Sequence, residues 1–144
     1  MGLALVATVC AGIFAGAAIY ITLVEHPARV SCGTALAIRE FGPSYRRATV
    51  MQASLAFFGM LAALDAWWQS RDAQFLVGGL LLGAVVPFTL VVIAPTNRHL
   101  TSPALDPESE DALRLLHRWG RLHAVRTVLS AAAFLILLLN VAGD

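Results

Sequence analysis

Four apolar stretches, each long enough to cross a lipid bilayer, constrain this chain more than any other feature. They cover about residues 3–24, 49–68, 74–94 and 122–141, and a bilayer takes roughly 20 apolar residues of helix. Only 13% of the residues are charged, against about a quarter in a soluble domain. We therefore predict an all-α integral membrane protein, a single domain over residues 1–144 that folds as a four-helix bundle with up-down topology.

The distribution of arginine predicts how the bundle lies in the membrane. One side of the predicted bundle carries nine arginines: Arg29, Arg39, Arg46, Arg47, Arg98, Arg114, Arg118, Arg121 and Arg126. The opposite side carries only Arg71. By the positive-inside rule the arginine-rich side is cytoplasmic and both termini lie outside, as expected in a bacterial-type inner membrane. Because these arginines do not form one soluble basic face, we expect no nucleic-acid partner.

Local signals predict where the helices end. The residue before a proline disfavours helical backbone, so the first helix is expected to end at Glu25–His26, before Pro27. Pro95 is expected to break the third helix in the same way. Asp106 is a candidate N-cap of the fourth helix. That helix would then be longer than the bilayer requires, and its first turns should project on the cytoplasmic side.

The fourth helix begins with polar residues sorted onto two faces. At 100° per residue, Arg114, His117, Arg118 and Arg121 share one face, which is typical of a solvated or headgroup-binding surface. Trp119, His123 and Arg126 lie on the opposite face. Only about 22 Å of apolar helix follows Arg126, so this cation lies within membrane depth. A charge at that depth normally faces a bundle interior or a wet cavity.

The other three spans bring polar groups to the same level. Tyr45, Thr49 and Gln52 form a stripe at the start of the second span, Glu25 and His26 close the first, and Asn97 and His99 follow the third. Each group has an ordinary structural explanation, such as a hydrogen-bonded seam between helices. Together they predict a cytoplasm-facing pocket with an acid, imidazoles, a guanidinium, an amide and an indole.

Three short motifs resemble those of the anthrone-oxygenase-like family of small four-span membrane proteins. They are "EHP" after the first span, "PTNRHL" after the third, and the Trp119-x3-His123-x2-Arg126 pattern that opens the fourth. The resemblance covers nearly the whole chain. It implies oxidation of an anthrone-like or other polycyclic phenol by O2, with no dedicated cofactor and no metal. The activity of relatives need not transfer with the fold.

The chemistry of an anthrone suggests a role for each polar residue. Its deprotonation gives an enolate that reacts with O2, so a base is needed, and His123 or His26 can serve. Arg126 with Asn97 is a candidate pair for stabilising the enolate oxygen. Trp119 and Tyr45 are candidates for stacking on a planar substrate, and Thr49, Gln52 and His99 for binding it. Glu25 is expected to orient His26 or to pair with Arg126.

Two other classes of function remain open at this point. The first is a haem- or metal-binding redox protein, because four histidines gather on one side and a helix bundle can hold a haem. Against it, His117 and His123 point about 120° apart on one helix. The second is a non-enzymatic membrane module for transport, assembly or lipid binding, and a homo-oligomer is possible in either class. Polar groups confined to one side favour a one-sided pocket over a conduit.

Overall fold

The computed structural model describes residues 2–143, and no strand occurs among them. Four long helices make up almost all of this part of the chain: α1 (Gly2–Ser31), α2 (Thr34–Ser70), α3 (Ala73–Leu100) and α4 (Glu110–Gly143). All four are long and apolar enough to cross a membrane. The all-α fold with four membrane-spanning helices is therefore confirmed. Each predicted span lies within one of these longer helices.

Two very short turns bring consecutive helices into contact. α1 and α2 are separated by Cys32 and Gly33, and Gly33 has φ +102°, a conformation that glycine adopts without strain. α2 ends at Arg71, which has left-handed backbone (φ 60°) and donates its N–H to the Trp67 carbonyl at 2.7 Å. The Asp72 carboxylate then caps α3 by accepting the Gln74 N–H. Because the turns are this short, each following helix must pack against the preceding one.

The helices pack in a ring in which each contacts two neighbours: α1 packs on α2 and α4, and α3 packs on the same two. Gly12 lies against Phe134, and Thr22 against Thr127, so α1 and α4 run in opposite directions. A Cβ added to Gly59 would lie 2.7 Å from Leu82 and 2.9 Å from the Cβ of Cys10. Glycine therefore allows α1, α2 and α3 to approach closely here.

The outer surface of the bundle is apolar. Val50, Phe58, Val91, Val128 and Leu139 are each at least 60% exposed, and a water-soluble monomer rarely shows so large a continuous apolar surface. Lipid is the environment that accommodates it, so the chain is an integral membrane protein. The sidedness inferred from the arginines stays a prediction.

The expected breaks at Pro27 and Pro95 are wrong. α1 contains a π-helical segment, Ile21–Glu25, and continues through Pro27 to Ser31. α3 contains a second π-helical segment, Thr89–Ile93, and continues through Pro95 to Leu100. Proline ordinarily clashes with the carbonyl four residues before it. Each π segment has an i→i+5 hydrogen bond directly before the proline, and this wider turn lets the helix continue.

The start of α4 also differs from the prediction. The helix begins at Glu110, and Ser109 caps it by accepting the Ala112 N–H at 3.1 Å. Asp106 instead caps a preceding turn, where its carboxylate accepts the Glu108 N–H. The 34 residues of α4 extend about 51 Å, well beyond the ~30 Å hydrocarbon core of a bilayer. The length of α4 thus confirms that this helix is longer than the bilayer requires. The side of the membrane on which it projects stays a prediction.

Candidate functional site

The candidate site is built around Trp119, which is 6% exposed and lies between two histidine rings. The ring centroids of Trp119 and His123 are 4.7 Å apart at 27°, and those of Trp119 and His26 are 5.0 Å apart at 51°. Phe41 meets the indole edge-on at 5.3 Å. Because α4 places Trp119 and His123 four residues apart, the two rings stack along one face of the helix.

Asn97 fixes the orientation of the indole. Trp119 Nε1 donates to Asn97 Oδ1 at 2.9 Å, and Asn97 is 3% exposed. Through this hydrogen bond, Asn97 positions the indole. Asn97 reaches α4 because the π segment lets α3 continue as a helix through Pro95. Asn97 does not line the central cavity that Arg126 lines, so its expected role at the enolate oxygen stays a prediction.

A chain of hydroxyl groups holds His123 from the other side. His123 Nδ1 lies 3.0 Å from Thr22 Oγ1, and Thr22 Oγ1 lies 2.8 Å from Thr127 Oγ1. Thr127 Oγ1 also lies 3.2 Å from the Ala18 carbonyl and 3.3 Å from the His123 carbonyl. His123 itself is 1% exposed.

One assignment of protons joins the imidazole, both hydroxyls and a carbonyl in a single chain of hydrogen bonds. A carbonyl only accepts, so Thr127 donates its one proton to a carbonyl and accepts the proton of Thr22. Thr22 in turn accepts a proton from His123 Nδ1. In this assignment the neutral imidazole carries its proton on Nδ1 and its lone pair on Nε2. This is the tautomer that a base acting through Nε2 requires.

Arg126 is held by Gln52 and by an aromatic face. Arg126 Nη2 donates to Gln52 Oε1 at 2.6 Å, and the guanidinium carbon lies 5.5 Å from the ring centroid of Phe14, a favourable cation–π arrangement. Arg126 Nε and Gln52 Nε2 are both buried and bond to no other protein atom. A buried donor without an acceptor is costly. These two N–H groups are thus available to an acceptor on a ligand or a water molecule.

A second polar cluster lies at the junction of α1 and α2. Arg29, 8% exposed, forms ion pairs with Glu25 and with Glu40, and Ser44 Oγ donates to Glu25 at 3.1 Å. Neither predicted role of Glu25 is formed, because its carboxylate pairs with Arg29 rather than with His26 or Arg126. The arginine neutralises the acid where α1 turns into α2.

These groups surround a central cavity of about 20 Å³, which is room for a single water molecule. Its lining comes from α1, α2 and α4: Ile21, Glu25, Arg29, Phe41, Ser44, Tyr45, Ala48, Thr49, Gln52, Trp119, His123 and Arg126. The cavity therefore brings a carboxylate, two guanidinium groups, an imidazole and aromatic rings together.

Seven of the ten site residues predicted from the sequence line the central cavity: Glu25, Tyr45, Thr49, Gln52, Trp119, His123 and Arg126. His26 and Asn97 are buried in contact with Trp119 instead, and His99 is exposed. Sequence reasoning missed Thr22, Thr127 and Arg29. Arg29 follows Glu25 by one helical turn, which is a detectable ion-pair spacing. The two threonines had only one signal, a hydroxyl inside an apolar run.

The other polar residues of α4 face outward. Arg114, His117, Arg118 and Arg121 are all exposed, and contact of this face with water or headgroups stays a prediction. Within residues 2–143, no three His, Cys, Asp or Glu side chains are grouped closely enough to hold a metal ion. The imidazole of His123 and the guanidinium of Arg126 both line the central cavity.

The fold and the site together define a class of protein: a four-helix membrane protein with a buried imidazole and guanidinium beside an internal cavity. The sequence profile of the anthrone oxygenase family matches residues 41–136, about two thirds of the chain. The chain therefore belongs to the anthrone oxygenase family. No curated protein and no solved structure shows significant similarity to it.

Proposed function

We propose that this protein is a membrane-embedded, cofactor-independent oxygenase that acts on an anthrone-like or related polycyclic phenol. The family supports an oxygenase-like role. The observation that carries the more specific proposal is the placement of His123 and Arg126 on one cavity, with the hydrogen bond from His123 Nδ1 to Thr22 leaving Nε2 as the basic nitrogen.

The proposed reaction begins with a proton transfer to His123. An anthrone carries acidic C–H bonds opposite its carbonyl, and Nε2 of the neutral imidazole takes one of these protons. Negative charge then develops on the carbonyl oxygen as the enolate forms. Arg126 and Gln52 offer donors to that oxygen, which is the preorganised stabilisation that lowers the barrier to an enolate. His26 is a weaker candidate base because it does not line the cavity.

The remaining steps need only O2. The enolate transfers one electron to O2, and the resulting radical and superoxide combine to form a C–O bond, which takes up a proton to give a hydroperoxide. Loss of the second proton from the same carbon breaks the O–O bond and releases water. One anthrone and one O2 thus give one anthraquinone and one water. Trp119 and Tyr45 line the central cavity. Because this cavity has room for only one water molecule, it must widen before a planar ring can lie beside them.

The test uses the purified protein in lipid nanodiscs with anthrone as substrate. Oxygen uptake and anthraquinone absorbance are followed together, and the rate without protein is subtracted. We expect His123→Ala to lower kcat/KM by about 10²–10⁴-fold, the usual contribution of a general base, and Arg126→Gln to lower it by about 10²–10³-fold. His117→Ala and Arg121→Gln are matched controls, because both residues are exposed on the same helix.

Two results would overturn the proposal. One is a folded wild-type protein that takes up no O2 above background with anthrone or hydroxyanthrones. The other is equal turnover by His123→Ala and its His117→Ala control. A haem absorbance band or a stoichiometric metal in the active protein would move it to the redox-centre class instead.

A further inference from the structure

A second cavity lies between α2 and α3 and reaches the same arginine. It measures about 80 Å³, several times the volume of the central cavity. α2 and α3 form its walls and Phe14 and Arg126 its floor; the lining is Phe14, Thr49, Gln52, Ala53, Ala56, Val85, Val86, Thr89, Leu90 and Arg126. We call it the side cavity. It shares Thr49, Gln52 and Arg126 with the central cavity, so these residues form the partition between the two spaces.

The side cavity lies next to a close approach of α2 and α3. A Cβ on Gly79 would lie 2.8 Å from Ala63, and one on Gly83 would overlap the Met60 sulfur. Further along α3, Pro87 lies inside the helix and the π segment begins at Thr89. Residues around this segment line the side cavity, and proline and π-helical turns are common causes of a bend in a helix.

The mouth of the side cavity opens on the lipid-facing surface. Leu90, on one rim, is 67% exposed, and Ala53 on the opposite rim is also exposed. Both residues belong to membrane-spanning helices. A molecule dissolved in the bilayer therefore reaches the side cavity between α2 and α3 without passing through water.

Two polar side chains, Gln52 and Arg126, lie in the side cavity among mostly apolar residues. Gln52 is 2% exposed, and neither its Nε2 nor the Nε of Arg126 has a hydrogen-bond partner within residues 2–143. A hydrocarbon chain would leave both donors without an acceptor, which is unfavourable in a buried site. A ligand with an apolar ring and one acceptor oxygen matches the walls and the floor together.

We propose that the side cavity binds the oxygen-bearing ring of an aromatic ketone or phenol that enters laterally from the bilayer. Gln52 and Arg126 donate to its oxygen, and the apolar walls hold its ring. The remaining rings of a fused system lie in the mouth, against lipid. This inference deepens the proposed function and rests on it, because it names the lateral entry site of the same substrate. His123 lines only the central cavity, so the substrate passes the partition of Thr49, Gln52 and Arg126 before it reacts.

The test blocks the mouth without disturbing the core. Leu90→Trp places an indole on the rim, while Val91→Trp is the matched control, because Val91 is 73% exposed in the same π segment and does not line the cavity. Ala53→Trp blocks the mouth from α2. Binding of anthrone to the protein in nanodiscs is measured under argon, where no oxidation occurs, and turnover is then measured in air.

We expect Leu90→Trp and Ala53→Trp to raise the Kd and the KM for anthrone at least tenfold, while Val91→Trp stays within twofold of wild type. Equal Kd values for Leu90→Trp, Ala53→Trp and Val91→Trp would overturn the inference. Wild-type turnover in air with no effect of either blocking variant would refute the lateral site and leave the oxygenase proposal standing. Anthrone binding under argon that the blocking variants abolish, without turnover in air, would refute the oxygenase proposal and leave the lateral site standing.

Discussion

Replacing Thr22 with valine separates the role of the imidazole from the role of its support. Valine has nearly the shape of threonine but no hydroxyl, so the variant removes the acceptor of the His123 Nδ1 proton and changes little else. Thr22 lines neither cavity. Any effect on the proposed reaction is therefore transmitted through the imidazole, and Thr22 is a positioning residue.

The size of the effect follows from the hydrogen bond that is lost. Nδ1 lies 3.0 Å from Thr22 Oγ1 in a side chain that is 1% exposed. Leaving a buried donor unsatisfied costs about 1–3 kcal/mol. The imidazole avoids this cost by carrying its proton on Nε2, which removes the basic lone pair from that nitrogen. At about 1.4 kcal/mol for each factor of ten, we expect kcat to fall roughly fivefold to 150-fold.

The assay is the nanodisc measurement of anthrone oxidation, with kcat and KM determined separately. We expect Thr22→Val to lower kcat and to leave KM unchanged, while Thr22→Ser restores the hydroxyl and most of the rate. Thr8→Val is the matched control, because the Thr8 hydroxyl on the same helix donates only to the Ala4 carbonyl.

Two outcomes would refute the reasoning. If Thr22→Val retains wild-type kcat while His123→Ala is inactive, the hydroxyl chain does not set the tautomer. If Thr22→Ser is as slow as Thr22→Val, the loss comes from a change in packing rather than from the missing hydroxyl. Thermal unfolding of each variant in detergent identifies any loss that comes from an unfolded protein.

Three further predictions concern stability and packing. Arg29→Gln should lower the free energy of unfolding by about 1–3 kcal/mol, because it removes the buried partner of the partly buried Glu25 carboxylate. Arg114→Gln removes only an exposed pair with Asp111 and should leave the thermal unfolding temperature nearly unchanged; similar losses of thermal stability in both variants would contradict this. Gly59→Ala should lower the free energy of unfolding by about 1–3 kcal/mol, because the added methyl group overpacks the core. Gly16→Ala should not lower it, because nothing lies within 4 Å of the added Cβ. Thermal unfolding of the two variants measures the difference. Gly120→Ala would place a Cβ 2.8 Å from His26 Nε2 and should therefore displace the imidazole ring. The NMR chemical shift of the His26 imidazole reports this displacement. An unchanged chemical shift would show that the contact does not fix the position of the ring.

Local rules predicted the parts of the site that one helix determines by itself. The 100° spacing of α4 sorted Trp119, His123 and Arg126 away from His117 and Arg121, and the structure places the first three on the central cavity and leaves the other two exposed. Hydropathy located all four spans for the same reason. In lipid, each helix satisfies its backbone hydrogen bonds internally, so an apolar run alone is enough to identify it. No partner helix is needed for either inference.

Pairings between helices were not predictable in this way. The sequence did not predict that Arg126 bonds to Gln52 or that Asn97 bonds to Trp119. Which amide meets the guanidinium depends on the rotation of α2 and α3 about their axes, and small residues such as Gly79 set that rotation through close contacts. A spacing rule along one helix contains no information about this rotation.

The two prolines explain why the site lies where it does. Pro27 and Pro95 each follow a five-residue π segment by one intervening residue. After each π segment the helix continues with buried polar side chains: His26 and Arg29 in α1, Thr96 and Asn97 in α3. A π turn adds one residue to the helical turn, so it changes which side chains face the bundle from that point onward.

The same local feature thus has two consequences on opposite sides of Trp119. In α1 it carries the chain to His26, whose ring packs against the indole at a tilt of 51°, and in α3 to Asn97, which accepts the indole N–H. A helix that ended at each proline would leave both residues in flexible connections, and the indole would lose its two supports. The local conflict between proline and the α-helix is therefore resolved by a wider turn, and that turn directs the groups that hold Trp119 in place beside His123.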